Sequence, residues 1–159
     1  MVPAMKIRKG ALGDAAIIAE FNIRLARETE DLRLDPATVA QGVTALLQDP
    51  AKGIYFVAEN ESKIVGQLLI TYEWSDWRNG NFWWIQSVYV KKEFRGQGIF
   101  AALFEHIHRL AREQKDVCGL RLYMEKDNEQ ARRVYRKLGM HETHYRVLEM
   151  AIFEGPLAS

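Results

Sequence analysis

The run from Trp84 to Phe104 constrains this chain more than any other stretch. Ile85, Val88 and Val90, with Trp84 and Tyr89, form a β-branched and aromatic series suited to a buried strand. From Ile99 the apolar period changes: Ile99, Leu103, Ile107 and Leu110 recur at three and four residues, which is helical. Between them stands Arg95-Gly96-Gln97-Gly98. Glycines there let the backbone turn its N–H groups outward with no Cβ in the way. Such amides, at the positive end of a helix dipole, make an anion site suited to phosphate. Lys91, Lys92 and Arg95 against Glu93 add a local balance of +2.

Three glycine-loop chemistries compete for this stretch. The P-loop fails, because no Gly-Lys-Ser/Thr follows. The dinucleotide fingerprint G-x-G-x-x-G/A is satisfied by Gly96 to Ala101, yet five residues separate Val90 from Gly96, too long for that motif's tight first turn. Its acid should end the second strand, whereas Asp116 falls before the next strand. In the third, Arg95 to Ile99 resembles the Q/R-x-x-G-x-G/A loop of the GNAT family of N-acetyltransferases, with Phe100 where Gly or Ala is usual.

The 159 residues suffice for one domain with its own core. A net charge of +1 implies no general attraction to nucleic acid. Cys118 is the only cysteine, which excludes an internal disulfide and a cysteine-based metal cluster; it is expected as a small core residue, and no metal is expected. No apolar run approaches a membrane span and no signal-like core opens the chain, so a cytoplasmic protein is expected. Residues 1–4 are expected to be disordered, 5–153 to form the domain and 154–159 a tail.

Along the chain, Lys6-Ile7-Arg8 reads as a first strand, and Gly13-Asp14 opens a helix with Ile17, Ile18, Phe21 and Leu25 on one face. Asp35-Pro36 is an N-cap and first-turn pair for a second helix. Ile54–Ala58 and Ile64–Tyr72 read as a hairpin about Asn60-Glu61-Ser62. A polar turn over 75–81 leads into the strand described above. After the long helix, Gly119–Met124 reads as a strand, Asp127-Asn128 as a helix start, Gly139 as its C-cap, and 144–153 as a final strand region. The order β-αα-ββ-β-α-β-α-β(β) predicts a single-domain α+β fold with a mixed, largely antiparallel sheet flanked by helices.

A second stretch carries the family resemblance further. Asn128, Ala131, Tyr135 and Gly139-Met140 match the GNAT cassette N-x-x-A-x-x-x-Y-x-x-x-G-[FM], and the element order matches the family's topology. The resemblance implies an acetyl-CoA-dependent N-acetyltransferase acting by direct transfer to an amine. Its cofactor contacts would be Val88, Tyr89 and Val90 along the strand, Arg95, Gly96, Gln97, Gly98, Ile99 and Phe100 at the loop, and Asn128, Ala131 and Tyr135 on the later helix. One of Arg132, Arg133, Arg136 and Lys137 would meet the 3′-phosphate. Asn128 and Tyr135 stand seven residues apart, about 10 Å along one helix face, which suits one contacting the pantetheine arm and the other reaching the sulfur.

Acetyl transfer needs a neutral amine, a stabilised carbonyl oxygen and a proton for the departing thiolate. A tyrosine, with reference pKa about 10, is protonated at pH 7, so Tyr135 is the general-acid candidate. The backbone N–H of Val88 or Tyr89 is the oxyanion donor. Gln86-Ser87 occupies the place where some family members carry a base, and Glu73 or Asp76 is the substitute. His106 and His108 read as structural or surface residues, and His141 and His144 as nearer the acceptor. Glu28, Glu30 and Asp31 form an acidic rim, and Trp74, Trp77, Trp83 and Trp84 an aromatic wall suited to a cation or a packed hairpin. The expected acceptor is a small amine or polyamine, with a protein or peptide amine as the alternative. A non-catalytic acyl-CoA-binding module is the rival of another class. Family habit adds a homodimer.

Overall fold

The structure, a computed structural model, describes residues 5–153. The expected disordered start (1–4) and tail (154–159) lie outside the described residues. The chain forms two compact units that meet in sequence at Leu122/Tyr123.

The first unit holds one five-stranded sheet in the order β1 (Met5–Lys9), β2 (Ile54–Asn60), β3 (Lys63–Ser75), β4 (Gly80–Val90) and β5 (Val117–Leu122). All neighbours are antiparallel except β4 and β5, which are parallel. This is the mixed, largely antiparallel sheet that the sequence predicts. Helix α1 (Ala15–Glu30) and α2 (Pro36–Gln48) precede β2, and α3 (Ile99–Glu113) joins β4 to β5. Asp35 caps α2 as expected, its carboxylate accepting from Thr38 N at 2.9 Å with Pro36 in the first turn.

One core cluster joins Ile18 and Ala19 of α1, Val43 of α2, and Tyr55, Val57 and Leu69 of the sheet. Phe56, Leu68, Ile70, Leu103 and Ile107 are also fully buried. Gly66 permits a close approach: a Cβ there would stand 3.0 Å from Ile99 Cγ2, at the first residue of α3. That approach seats the mouth of α3 at the end of β4.

The second unit contains α4 (Glu129–Lys137). Asn128 caps it through Ala131 N at 3.0 Å, and Gly139 closes it at φ 91° with Met140 N donating to Tyr135 O at 3.0 Å. The expected final strand over 144–153 does not form. A helix closes its own hydrogen bonds, whereas a strand exists only through a partner. Among the described residues of this unit α4 is the only regular element, so nothing in it offers a ladder.

Cys118 corrects another expectation: it is exposed. β5 is an edge strand, and its register slips from Asn81↔Val117 to Phe82↔Gly119, leaving Cys118 as the extra residue. Nor do the four tryptophans form one wall. Trp83 is buried against Tyr72, while Trp77 lies in the turn, 86% exposed.

Candidate functional site

The site begins where β4 loses a neighbour. Residues Asn81 to Ile85 pair with β5, and the ladder stops at Ile85↔Leu122. Gln86 to Val90 therefore keep β3 on one side and, among the described strands, have none on the other. In this stretch the β3–β4 register also shifts, from Leu69↔Gln86 to Gln67↔Tyr89, so Ser87 and Val88 together oppose Leu68. Ser87 adopts φ 49°, the left-handed region that few non-glycine residues visit.

The alternation of an antiparallel ladder fixes where these amides point. Lys91 N donates to Val65 O at 2.8 Å, so Lys91 and Tyr89 turn their polar groups to β3. Val88 and Val90 turn theirs to the open edge. Of the two oxyanion donors expected from sequence, the geometry thus leaves Val88 N–H facing out and commits Tyr89 N–H to the ladder.

The chain then enters a short 3-10 turn over Lys92–Phe94 and the glycine loop. Gly96 and Gly98 sit at φ 76° and 79°, and neither would meet an atom within 4 Å if given a Cβ. Their backbone conformation calls for glycine, not a lack of space. Gly98 begins α3 with no side-chain cap, and no acid lies in the first turn. The first amides of α3 are thus unclaimed by a side chain and sit at the positive helix end.

Edge and loop together border a cleft of about 460 Å³, lined on one wall by Leu25, Glu28 and Thr29 of α1 and on the other by Val88–Val90, Phe94–Gly96 and Gly98–Ala101. Of the six residues expected at the loop, Arg95, Gly96, Gln97, Gly98, Ile99 and Phe100, all but Gln97 line it. Gln97 instead donates to Glu93 O at 3.3 Å. Phe100, at the position that departs from the family pattern, leans on Phe104 with ring centroids 6.2 Å apart.

Glu28 is the carboxylate of this cleft. It accepts from Arg95 at 2.6 Å and from the Tyr89 hydroxyl at 3.1 Å, while Arg95 Nε reaches back to Val90 O at 2.9 Å. Arg95, and then the Tyr89 hydroxyl, hold the Glu28 carboxyl below its usual range. A depressed carboxylate is a poor base and a good partner for a cation.

The other expected acceptor-side residues are not among the cleft's lining residues. Glu73 accepts from Trp84 Nε1 and from Arg121, each at 3.0 Å, so both its oxygens are engaged. It pairs with Phe82, six residues along β4 from Val88, about 20 Å at strand spacing. Glu30, one residue past the lining Thr29, and Trp74 are exposed.

In the second unit, burial raises the Tyr135 phenol above its usual value, which keeps it protonated at neutral pH. The Asn128 carbonyl oxygen is engaged as the α4 cap, and its amide nitrogen remains for other contacts. Arg132 is committed to Glu129, Glu142 and Lys126 O.

A buried polar group escaped the sequence reading. Gln67, fully buried, donates from Nε2 to Asn22 Oδ1 at 2.8 Å and to Ser87 O at 3.0 Å. The signal for it in the sequence is a lone amide in the otherwise apolar run from Val65 to Ile70.

A family model described as "Acetyltransferase (GNAT) family" matches residues 20–140. The structure of a possible acetyltransferase from Clostridium difficile 630 is 46% identical, with TM-score 0.89 over 94% of this chain and 99% of that one. A predicted acetyltransferase from Clostridium acetobutylicum, solved with acetyl-CoA, shares the fold at TM-score 0.76 and 20% identity, over 96% of this chain and 99% of that one. Thialysine N-epsilon-acetyltransferase of Bos taurus is 32% identical over 79 residues, half of this chain; the match spans 45% of that relative's length.

Proposed function

The chain belongs to the GNAT acetyltransferase family, and from that premise we propose that it transfers an acetyl group from acetyl-CoA directly to a primary amine of a small molecule. The observation that carries this reading is the convergence, on one cleft, of an unpaired strand edge and the glycine-rich mouth of α3. That donor set fits a carrier with a diphosphate at one end and an amide-bearing arm. When bound, acetyl-CoA supplies an activated thioester.

Arg95 and the amides at the mouth of α3 hold the diphosphate. The outward carbonyl of Val88 and the outward N–H of Val90 pair with the arm as a strand edge pairs with a peptide. Val88 N–H donates to the carbonyl oxygen as negative charge grows there. The ammonium first loses one proton to solvent. The neutral amine then attacks, the C–N bond forms as the C–S bond breaks, and the second amine proton leaves to solvent. Tyr135 gives the departing sulfur its proton and regains one from solvent. Glu28, once an anion takes Arg95, is a carboxylate on the cleft wall that suits an ammonium. Glu73, expected as the base, has no part in this scheme, because its oxygens serve Trp84 and Arg121 and it stands far along the strand.

Thiol release from acetyl-CoA, measured against a panel of thialysine, lysine, polyamines and peptides, tests the reading. Turnover with a small amine is expected, and Tyr135→Phe is expected to lower kcat by about 10²-fold or more with little change in acetyl-CoA affinity. Turnover on peptides alone would move the acceptor to a protein amine. Binding without turnover on any amine would make the chain an acyl-CoA-binding module.

A further inference from the structure

Ser87 and Val88 share one peptide unit, and its two ends are trans. Whatever holds the Ser87 carbonyl therefore aims the Val88 N–H the opposite way. The carbonyl is held from inside the protein by Gln67 Nε2 at 3.0 Å. The second proton of the same nitrogen goes to Asn22 Oδ1 at 2.8 Å, and Asn22 Nδ2 donates to the Tyr55 hydroxyl at 3.1 Å. Ser87 is itself a further neighbour of that hydroxyl. The amide's orientation follows from its two acceptors: turned over, its oxygen would face two other oxygens.

This arrangement is costly. Gln67 is fully buried, and its Oε1 has no hydrogen-bond partner among the described residues. A buried polar atom left unpaired opposes folding, while the amide's two donors are satisfied and deleting them would strand Ser87 O and Asn22 Oδ1. Ser87 at φ 49° adds backbone strain of the kind that persists only where surroundings over-determine it. Both costs meet at one peptide, the one whose N–H faces the cleft. The ladder counted from Lys91 independently sends that N–H to the open edge.

We propose that Gln67, braced by Asn22 of α1, is a positioning residue that pins the Ser87 carbonyl inward and so presets the Val88 N–H as oxyanion donor. Gln67 touches neither the carrier nor the amine. It acts through the peptide, and the inference rests on the transfer reading above. Preset donors cost no reorganisation at the moment of reaction.

Gln67→Met keeps length and apolar volume while deleting both donors. The expected result is a kcat lower by about tenfold or more, with the KM for acetyl-CoA within about twofold of wild type; removal of a whole oxyanion donor sets the upper end at about 10²–10³-fold. In infrared spectra of bound acetyl-CoA carrying a 13C carbonyl, the carbonyl band should move up in frequency relative to the wild-type complex, because a misaimed donor polarises it less. Adding Ser87→Gly relieves the positive φ and should restore thermal stability while kcat stays low. Recovery of kcat together with stability would reduce Gln67 to a structural residue and overturn the proposal. So would an unchanged kcat and an unmoved band in Gln67→Met. If the methionine variant does not fold, Asn22→Ser loosens the same clamp: a kcat loss of about threefold or more at constant KM sustains the proposal, and no loss overturns it. The transfer reading fails separately, by a wild-type protein that binds acetyl-CoA and acetylates nothing; the carbonyl band still reads the clamp in that case.

Discussion

The two halves of β4 show how one strand serves two purposes. From Gly80 to Ile85 it is paired with β3 on one side and with β5 from Asn81 onward on the other. Phe82, Trp83 and Ile85 are buried there. From Gln86 to Val90 no described strand pairs on one side, a bulge breaks the register, and a non-glycine residue sits at positive φ. The first half spends its backbone polar groups on the sheet. The second leaves some of them unpaired by any described strand, alongside strain and the unpaired Gln67 Oε1. Within β4, the bulge in the ladder to β3 and the residue at positive φ fall where chemistry is proposed, and the doubly paired half supplies the rigidity that holds them.

Replacing single amides by esters would break that contrast most directly. An ester at Val88 removes an outward N–H and is expected to lower kcat by about 10²–10³-fold with little loss of stability. An ester at Trp84, in the doubly paired half, should cost about 1 kcal/mol of stability and leave kcat within about twofold. Equal effects on kcat at the two positions would refute the division.

Gly119→Ala probes the closed half by packing. A Cβ there would lie 2.8 Å from the Phe82 ring, which is already covered on one face by Arg121 at 3.6 Å. Overpacking should cost about 1–3 kcal/mol in denaturant unfolding, with kcat of the folded protein unchanged. At the open half, Gly98→Ala meets free space but a φ of 79°. The left-handed penalty of about 1–2 kcal/mol should appear mainly as weaker acetyl-CoA binding, about tenfold in KM.

The smallest effect is expected at Glu28. Glu28→Gln removes a negative charge that competes for Arg95, so acetyl-CoA should bind a few-fold tighter while the KM for the amine rises. Because the folded carboxyl titrates below its usual value, the Glu28–Arg95 pair is present above the usual carboxylate range and is lost as pH falls through the lower folded value. The affinity gap between the variant and wild type should therefore hold from about pH 8 to 5 and close only at more acid pH. A gap that closes near neutrality would assign it to another group.

Local signals in the sequence carry the frame of the molecule. The change of apolar period at Ile99, the Asp35-Pro36 cap and the glycines at 96, 98 and 139 each depend on neighbours within a few residues, and each appears where expected. The strand expected over 144–153 does not form, because an apolar run states a capacity for pairing and not the presence of a partner. Cys118 is exposed against expectation, because a bulge in an edge strand does not announce itself in composition. Glu73 looks available at the end of a strand until Arg121, 48 residues later, meets it.

The sequence by itself determined the strand, the loop, the helix and the two motifs that name the family, because helix period, turn glycines and caps are written in short-range spacing. Tertiary structure alone decided which amide of β4 faces the cleft, since that depends on where β5 stops and on Gln67 meeting Asn22 across 45 residues. Contacts between residues so far apart are fixed by how the sheet and α1 pack, and packing has no local signature.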